Sequence, residues 1–512
     1  MNLASLSERN FAEYGEYERL VFEGRSYTNV ELSRTSARLA SGLEGLGLGV
    51  DDKVVVMMPN GPEVPVSYEG IWRAGMVAIP VLFLLDAEEL RYILKDSGAR
   101  AVITSGEVFE KVARATEELG RPVHVIMTGP RSAVAPGCTS FDELVENSAP
   151  REGIAPRDDG AIATILYTSG TTGKPKGVMQ THRNLYANAQ NAWNTSKSRA
   201  RGETSVVVLP LAHSFGLGAS VSGYLFGGRG ILMKWFNPEG ALELIQRYRA
   251  TAMAGVPTMF VMMLNHPNAG NYDTSSVTRW LVGAAPMAVA QLEAFEKKFG
   301  GTMYVGYGLT ESGPGVAVQR EGAVRKPGST GQPMEGVTVR IVDEEGAELP
   351  RGNVGEIIVR GDNVSPGYYK NPQATAETFR DGWLFTCDIG YLDADDHLFV
   401  VERKKDLVIR AGLNIYPKDV EEVIYRMPEV REVAVVGVPD AIMGEEVCAY
   451  VAMKDGSQAT AEEVISYCQS HLAKYKTPRY VEFVAALPKT GLGKIQKKEV
   501  RNLAVARFGG NK

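Results

Sequence analysis

The richest chemical stretch of the sequence is Tyr167-Thr168-Ser169-Gly170-Thr171-Thr172-Gly173-Lys174-Pro175-Lys176-Gly177. Glycines and small hydroxyl residues let successive backbone N–H groups turn toward one anion, and the hydroxyls add donors of their own. Lys174 and Lys176 add positive charge. An apolar run over 161–167 leads into the stretch and reads as a strand that delivers it. A phosphate-binding loop needs that combination, whereas a solvated surface loop needs none of it. The loop is not of the Walker A kind, which has four residues between its glycines and a Ser or Thr after the Lys. Here two residues separate Gly170 from Gly173, and Pro175 follows Lys174.

The elements that must position this loop alternate along the chain. Short apolar runs over 53–58, 76–80, 101–104, 123–127, 161–167, 205–209, 251–255 and 280–282 read as strands. Longer amphipathic stretches over 29–46, 62–73, 87–96, 183–195, 238–248 and 288–299 read as helices between them. This alternation predicts βαβ units, parallel sheets and helices on both sheet faces. Gly45-Leu46-Gly47-Leu48-Gly49 follows a helix rather than a strand, so it reads as a cap and turn, not a dinucleotide loop. Near Gly328 the texture changes. Runs over 337–343, 355–360 and 397–401, separated by Gly, Pro and Asp turns, predict an antiparallel sheet or small barrel. After Asp406, segments over 419–426, 433–438, 447–453, 461–473 and 479–483 predict a compact α+β unit.

Composition limits the function classes. A chain of 512 residues exceeds one ordinary core, so two or more domains are expected. The net charge of −6 lacks the basic footprint of a general nucleic-acid binder. No run approaches the ~20 apolar residues of a membrane span. Residues 1–10 hold no basic stretch followed by an apolar one, so no secretion signal is expected and the location expected is cytoplasmic. Cys138, Cys387, Cys448 and Cys468 form no CxxC pair, which argues for reduced thiols over a zinc site or disulfide framework. The sequence leaves the oligomeric state open, a homodimer included.

The loop over 167–177 resembles the signature of the adenylate-forming superfamily, which includes acyl-CoA synthetases, peptide-synthetase adenylation domains and luciferases. Further motifs similar to that family's follow in order over most of the chain. Gly283-Ala284-Ala285-Pro286 resembles the segment lining the adenine and acyl sites. Tyr307-Gly308-Leu309-Thr310-Glu311 resembles YGxTE. The resemblance implies that Tyr307 stacks on adenine, Thr310 touches the α-phosphate and Glu311 helps hold Mg²⁺. A hard cation bridging phosphates does want a carboxylate oxygen. Thr386-Cys387-Asp388 resembles Thr-Gly-Asp, with Cys387 replacing the Gly and Asp388 accepting from the ribose hydroxyls. Glu402-Arg403-Lys404-Lys405-Asp406 resembles the hinge GRxKD. Glu402 departs from its Gly, Arg403 would meet the ribose or phosphate, and Lys405 falls at the pivot. Gly412 and Leu413 match the loop that lines the thiol channel, and Lys494 matches the lysine bridging carboxylate and α-phosphate.

The resemblance implies an α/β fold. An N-terminal adenylation domain, 1–404, would hold two doubly wound subdomains plus a small β-barrel. A smaller mobile α+β domain, 405–512, would follow. It also implies the chemistry: a carboxylate attacks the α-phosphate of ATP, pyrophosphate leaves, and coenzyme A takes the acyl group from the adenylate. Thr168, Ser169, Gly170, Thr171, Thr172, Gly173 and Lys176 would hold the β- and γ-phosphates, with Thr168 also counted among the catalytic groups. Gly283, Ala284 and Gly308 would line the nucleotide site. His213, Phe215, Val256, Gly283 and Ala284 would wall the acyl pocket. Those walls are neutral, although Arg229 and Lys234 lie nearby in sequence. An apolar monocarboxylic acid, fatty or aryl, is therefore expected, because an unpaired buried charge is costly. Two alternatives stay open: an enzyme that loads a separate carrier protein, and a non-catalytic acyl- or nucleotide-binding protein on the same fold. A serine hydrolase is disfavoured, since no G-x-S-x-G elbow occurs.

Overall fold

A computed structural model describes residues 1–168, 175–196, 202–457, 459–490 and 493–509. Local sequence chemistry starts and stops its helices. Asp86 and Glu89 form a capping box at the start of Ala87–Ser97, and left-handed Gly98 ends that helix. Asn237 caps Pro238–Tyr248, whose proline occupies the first turn, where no N–H is needed.

Two large sheets form the N-terminal domain. The seven-stranded sheet runs in the order Thr139–Ser140, His124–Thr128, Ala101–Ser105, Lys53–Met57, Val77–Pro80, Ile162–Thr168, Lys176–Thr181. All its neighbours are parallel except the last pair. Lys53–Met57 is apolar on both faces. Val54 and Val56 pack into one core cluster, Val55 and Met57 into another. The nine-stranded sheet has parallel strands Thr302–Tyr307, Arg279–Val282, Ala252–Gly255, Thr204–Val207, Arg229–Leu232 and Glu18–Phe22 at its centre. Antiparallel strands flank them at both edges. One cluster contains Val54 of the first sheet, Ile71 and Leu217 of helices, and Leu232 of the second. The two sheets therefore bury helices between them, as the alternating pattern predicts.

A third sheet is antiparallel. Val337–Val342 pairs with Gly355–Gly361, which pairs with Trp383–Leu392. Phe379–Arg380 and Leu398–Arg403 both lie along the far side of Trp383–Leu392. These pairings are those of an open antiparallel sheet among the described residues; no ladder between its outer strands closes it into a barrel.

The smaller C-terminal domain is built on the hairpin Val430–Asp440 and Gly444–Met453. Val408–Arg410, Leu413–Ile415 and Tyr480–Phe483 extend it, and helices Pro417–Ile424, Ala461–His471 and Lys497–Phe508 pack on it. No helix among the described residues is long and apolar enough to cross a membrane.

Trp280 anchors the strand that delivers Gly283 and Ala284. It is fully buried, its Nε1 donates to Gly300 O at 2.9 Å, and its ring centroid lies 5.0 Å from that of Phe295. Trp280→Ala should cost about 3–5 kcal/mol through the cavity and the lost bond. Urea unfolding followed by circular dichroism measures this, and an unchanged midpoint would contradict the packing account.

Candidate functional site

A cavity of about 1210 Å³ is lined by residues at the C-terminal ends of parallel strands in both large sheets. Val81 and Thr168 come from one sheet, and Leu209, Gly283 and Tyr307 from the other. Ligands in open α/β folds bind at such strand ends. Gly308 follows Tyr307 where a Cβ would fall 1.5 Å from Pro314 O, so only glycine fits. Gly283 is tight too: a Cβ would meet the Gly306 carbonyl oxygen at 3.3 Å.

One wall is built on Asp388, which is 3% exposed. Tyr307 Oη donates to its Oδ2 at 2.6 Å, and Arg403 Nε lies 3.2 Å from Oδ1. Burial raises the Asp388 carboxyl above the usual carboxylate range, while Arg403 and Tyr307 oppose the shift. Burial and the neighbouring Asp388 raise Tyr307 well above its ordinary value, so its hydroxyl stays a donor. Cys387, the residue in place of the resembled glycine, has φ +58. Its N–H donates to the side chain of Glu356 on the neighbouring strand, Oε1 at 3.1 Å, rather than to a backbone carbonyl. Register shifts on both flanks of Trp383–Leu392 accompany this turn. Such irregularities re-aim side chains, here Asp388.

A second wall holds Glu311, whose Oε1 accepts from Tyr368 Oη at 2.9 Å. Lys176 Nζ lies 5.2 Å from the Tyr368 ring centroid, and Lys176 pairs in register with Thr168. Thr310 Oγ1 donates to Ser214 Oγ at 3.2 Å. His213 caps helix Ser214–Phe226: its Nδ1 accepts from Phe215 N at 3.2 Å. In a neutral ring the proton then sits on Nε2. Burial, with Lys494 nearby, lowers His213 to about 3, so the ring is neutral at ordinary pH.

Lys494 reaches the same cavity from the C-terminal domain. Two bonds to Thr490 hold its backbone: Thr490 N donates to Lys494 O at 2.7 Å, and Lys494 N donates to Thr490 Oγ1 at 3.2 Å. Gly493, at φ +79, offers its carbonyl to the Thr258 hydroxyl across the domain junction. Burial, with Arg403 beside it, lowers Lys494 to about 8.

The cavity thus gathers Thr168, Lys176, His213, Phe215, Gly283, Ala284, Tyr307, Gly308, Thr310, Glu311, Arg403, Lys405 and Lys494. Asp388 backs it through Tyr307 and Arg403. Ser169, Gly170, Thr171, Thr172 and Gly173 lie outside the described residues. Val256 does not wall the cavity. It is 3% exposed and packs in a core cluster with Val282 and Met287, because it precedes the apolar helix Pro257–Leu264. Gly412 and Leu413, expected to line the thiol channel, lie outside this cavity: Gly412 is in a turn at φ +77 and Leu413 is exposed. Sequence reasoning missed Tyr368, whose Gly-Tyr-Tyr turn carries no motif. It also missed Arg19, Glu203 and Arg279 at the far end of the cavity, where Arg229, noted only as nearby in sequence, lines it with them. Arg279 pairs with Glu203 at 2.6 Å and Arg229 with Glu18 at 2.7 Å, while Arg19 lies 3.4 Å from the Tyr224 ring centroid. Fixed cations are therefore present, contrary to the neutral pocket expected.

Comparison with known proteins shows the family of the whole chain. Residues 7–369 match the AMP-binding enzyme family, and residues 419–494 match the AMP-binding enzyme C-terminal domain. The chain is 34% identical over 530 residues to a long-chain-fatty-acid–CoA ligase of Bacillus subtilis, covering 97% of this chain and 94% of that one. It is 38% identical over 488 residues to a feruloyl-CoA synthase of Amycolatopsis, covering 95% of each. Among solved structures, an anthranilate CoA ligase in complex with anthranoyl-AMP superposes with a TM-score of 0.94 at 27% identity, covering 99% of this chain and 98% of that one. The chain belongs to the AMP-binding enzyme family, the adenylate-forming enzymes.

Two outcomes are expected. The cation at Lys494 is present below pH 8 and lost above it, so kcat/KM for adenylation should fall with an apparent pKa near 8. Lys494→Arg should move that alkaline limb upward, because a guanidinium stays charged; pH–rate profiles decide. Cys387→Gly should leave stability unchanged or raise it by up to about 1 kcal/mol, since glycine relieves the left-handed strain but gains unfolded-state entropy. A thermal melt that shows clear destabilisation would argue against strain at this position.

Proposed function

We propose that the chain is an acid–thiol ligase: it activates a carboxylic acid with ATP as an acyl-adenylate, releases pyrophosphate and passes the acyl group to coenzyme A. The observation that carries this reading is the convergence of Lys494 and Arg403, from two sides of the domain junction, on one cavity with Glu311 and Tyr307. The fatty-acid and feruloyl ligases among its relatives support the same chemistry.

Oxide is a hopeless leaving group, so a carboxylate must first be joined to phosphate. Charge builds on the phosphoryl oxygens as pyrophosphate departs, and fixed cations there lower the barrier. Lys494 supplies one at the α-phosphate, and Thr310 a hydroxyl. Thr168 and Lys176 face the β- and γ-phosphates, with the loop residues between them. Tyr307 offers its ring to adenine, while Asp388 and Arg403 hold the ribose. Neutral His213 can donate from Nε2 toward the acid. Glu311 is the carboxylate that would hold Mg²⁺, which supplies further positive charge at the phosphates. One carboxylate plus substrate oxygens suits this ion. The other grouping of potential ligands, Asp393, Asp395 and His397, already holds Lys326 between its carboxylates. We take 1–404 and 405–512 as the two domains, with Lys405 as pivot in the turn Lys404–Asp406. Rotation there would withdraw Lys494 and bring up Gly412 and Leu413 to line the path of the thiol. All four cysteines are free, which suits a reducing cytoplasm.

The acid is an apolar monocarboxylate, fatty or aryl. Leu209, Leu211, Leu232, Met253 and Leu281 line the cavity along the sheet, and the arginines Arg229 and Arg279 at its end are already paired. Pyrophosphate release with and without coenzyme A, over fatty, aryl and dicarboxylic acids, tests the proposal. Apolar acids should exceed acetate, and acetate succinate, in kcat/KM, because the pocket gains about 25 cal/mol per Å² of buried apolar surface. Lys494→Ala should cut adenylation by about 10²–10³-fold and spare thioester formation from supplied acyl-adenylate. Equal loss in both halves, or a preference for succinate, would count against the respective assignment.

A further inference from the structure

Glu402 stands where the resembled hinge has glycine, and its carboxylate is fully engaged. Oε1 accepts from Arg403 N at 3.1 Å. Oε2 accepts from Lys418 N at 3.2 Å and from Lys497 Nζ at 3.0 Å. Lys497 Nζ also lies 3.0 Å from Glu421 Oε1, which accepts from Val435 N at 2.8 Å. Lys418 Nζ returns across the junction to Val400 O at 2.7 Å. The side chains of Glu402 and Glu421 are 8% and 10% exposed, and that of Lys497 is 20% exposed. Glu402 belongs to the last strand of the antiparallel sheet; Lys418, Glu421 and Lys497 belong to the C-terminal domain. Among the described residues no second ion pair joins 1–404 to 405–512.

The location matters more than the count of bonds. Glu402 is the chain neighbour of Arg403. Lys497 begins the helix Lys497–Phe508, three residues after Lys494. The ion pair therefore lies between two cations of the cavity, next to Arg403 on one side of the junction and close in sequence to Lys494 on the other. Breaking it during rotation strands Glu402 unless water or a new partner reaches it, while Lys497 keeps Glu421, which turns with it.

We propose that Glu402 and Lys497 are a positioning pair: they hold the C-terminal domain in the orientation that delivers Lys494 to the cavity, and they must part before the domain can rotate. The inference rests on the adenylation and thiol-transfer reading above. It asks that the two half-reactions respond differently when the pair is weakened.

The test measures the halves separately, adenylation as pyrophosphate release without thiol, and thioester formation from a supplied acyl-adenylate. Glu402→Gln should lower kcat of adenylation by about tenfold, equivalent to ~1.4 kcal/mol of lost closure. KM for the acid should hold, and thioester formation should be undiminished or faster. Lys497→Gln should give the same split, and the double variant should fall no further than the worse single, because both remove one interaction. Lys497→Arg keeps the charge and should retain adenylation within about threefold. Parallel loss in both halves, no loss, or additive losses in the double variant would overturn the pair's role. A wild-type chain that forms no acyl-adenylate would overturn the proposed function, and this inference with it.

Discussion

A carboxylate taken out of water must keep its partners, and Asp388 is the carboxylate on which the site depends. It is 3% exposed, with Tyr307 on one oxygen and Arg403 on the other. Those partners come from different places. Tyr307 ends a parallel strand of the nine-stranded sheet, Asp388 lies mid-strand in the antiparallel sheet, and Arg403 closes the strand that leads to the C-terminal domain. Displacing any of the three elements leaves a buried charge uncompensated, which costs several kcal/mol. The triad therefore fixes how the sheets and the domain junction meet. Glu311 is held in the same way by Tyr368, and Glu402 by Lys497.

How much of this was legible follows from the kind of signal each element carries. Lys53–Met57 and Pro238–Tyr248 could be read because one is a β-branched apolar run and the other has a cap, a first-turn proline and a clean polar face. Helix Ser214–Phe226 could not. Its glycines and serines lower helix propensity, and it packs between the sheets without a polar stripe to give the period. The same burial hides Val256, which motif position assigned to the cavity and packing assigned to the core. The third sheet read correctly as antiparallel, but closure depends on edge pairing, which no local pattern encodes.

The residues at and behind the cavity were legible where a motif carries them in order, as at Tyr307–Glu311, Asp388, Arg403 and Lys494. The charged far end of the cavity was not. Glu203, Arg229 and Arg279 lie at or just before the starts of parallel strands of one sheet, Arg279 one strand removed from Glu203. They are far apart in sequence, and only the sheet register sets them side by side. Motif reasoning, which works along the chain, saw neutral walls. The sheet, which works across it, adds charges, and it also neutralises two of the arginines by pairing each with a glutamate.

Lys494 and Lys497 show what the domain arrangement is for. They are three residues apart and both are largely withdrawn from water, yet their surroundings are opposite. Lys497 has two carboxylates, and they raise its pKa despite the burial. Lys494 has no carboxylate partner among the described residues, faces Arg403 instead, and is lowered to about 8. Folding alone gives no reason to bury an unpaired ammonium beside a guanidinium, since desolvation and like charge both oppose it. The arrangement is favourable once an anion occupies the cavity, because the same low dielectric that penalises the bare cation strengthens its attraction to phosphate. The paired lysine holds the domains together and the unpaired one awaits charge. Lys494 lies three residues before the helix that Lys497 opens, so closing the domain and completing the electrostatics of the cavity are one event.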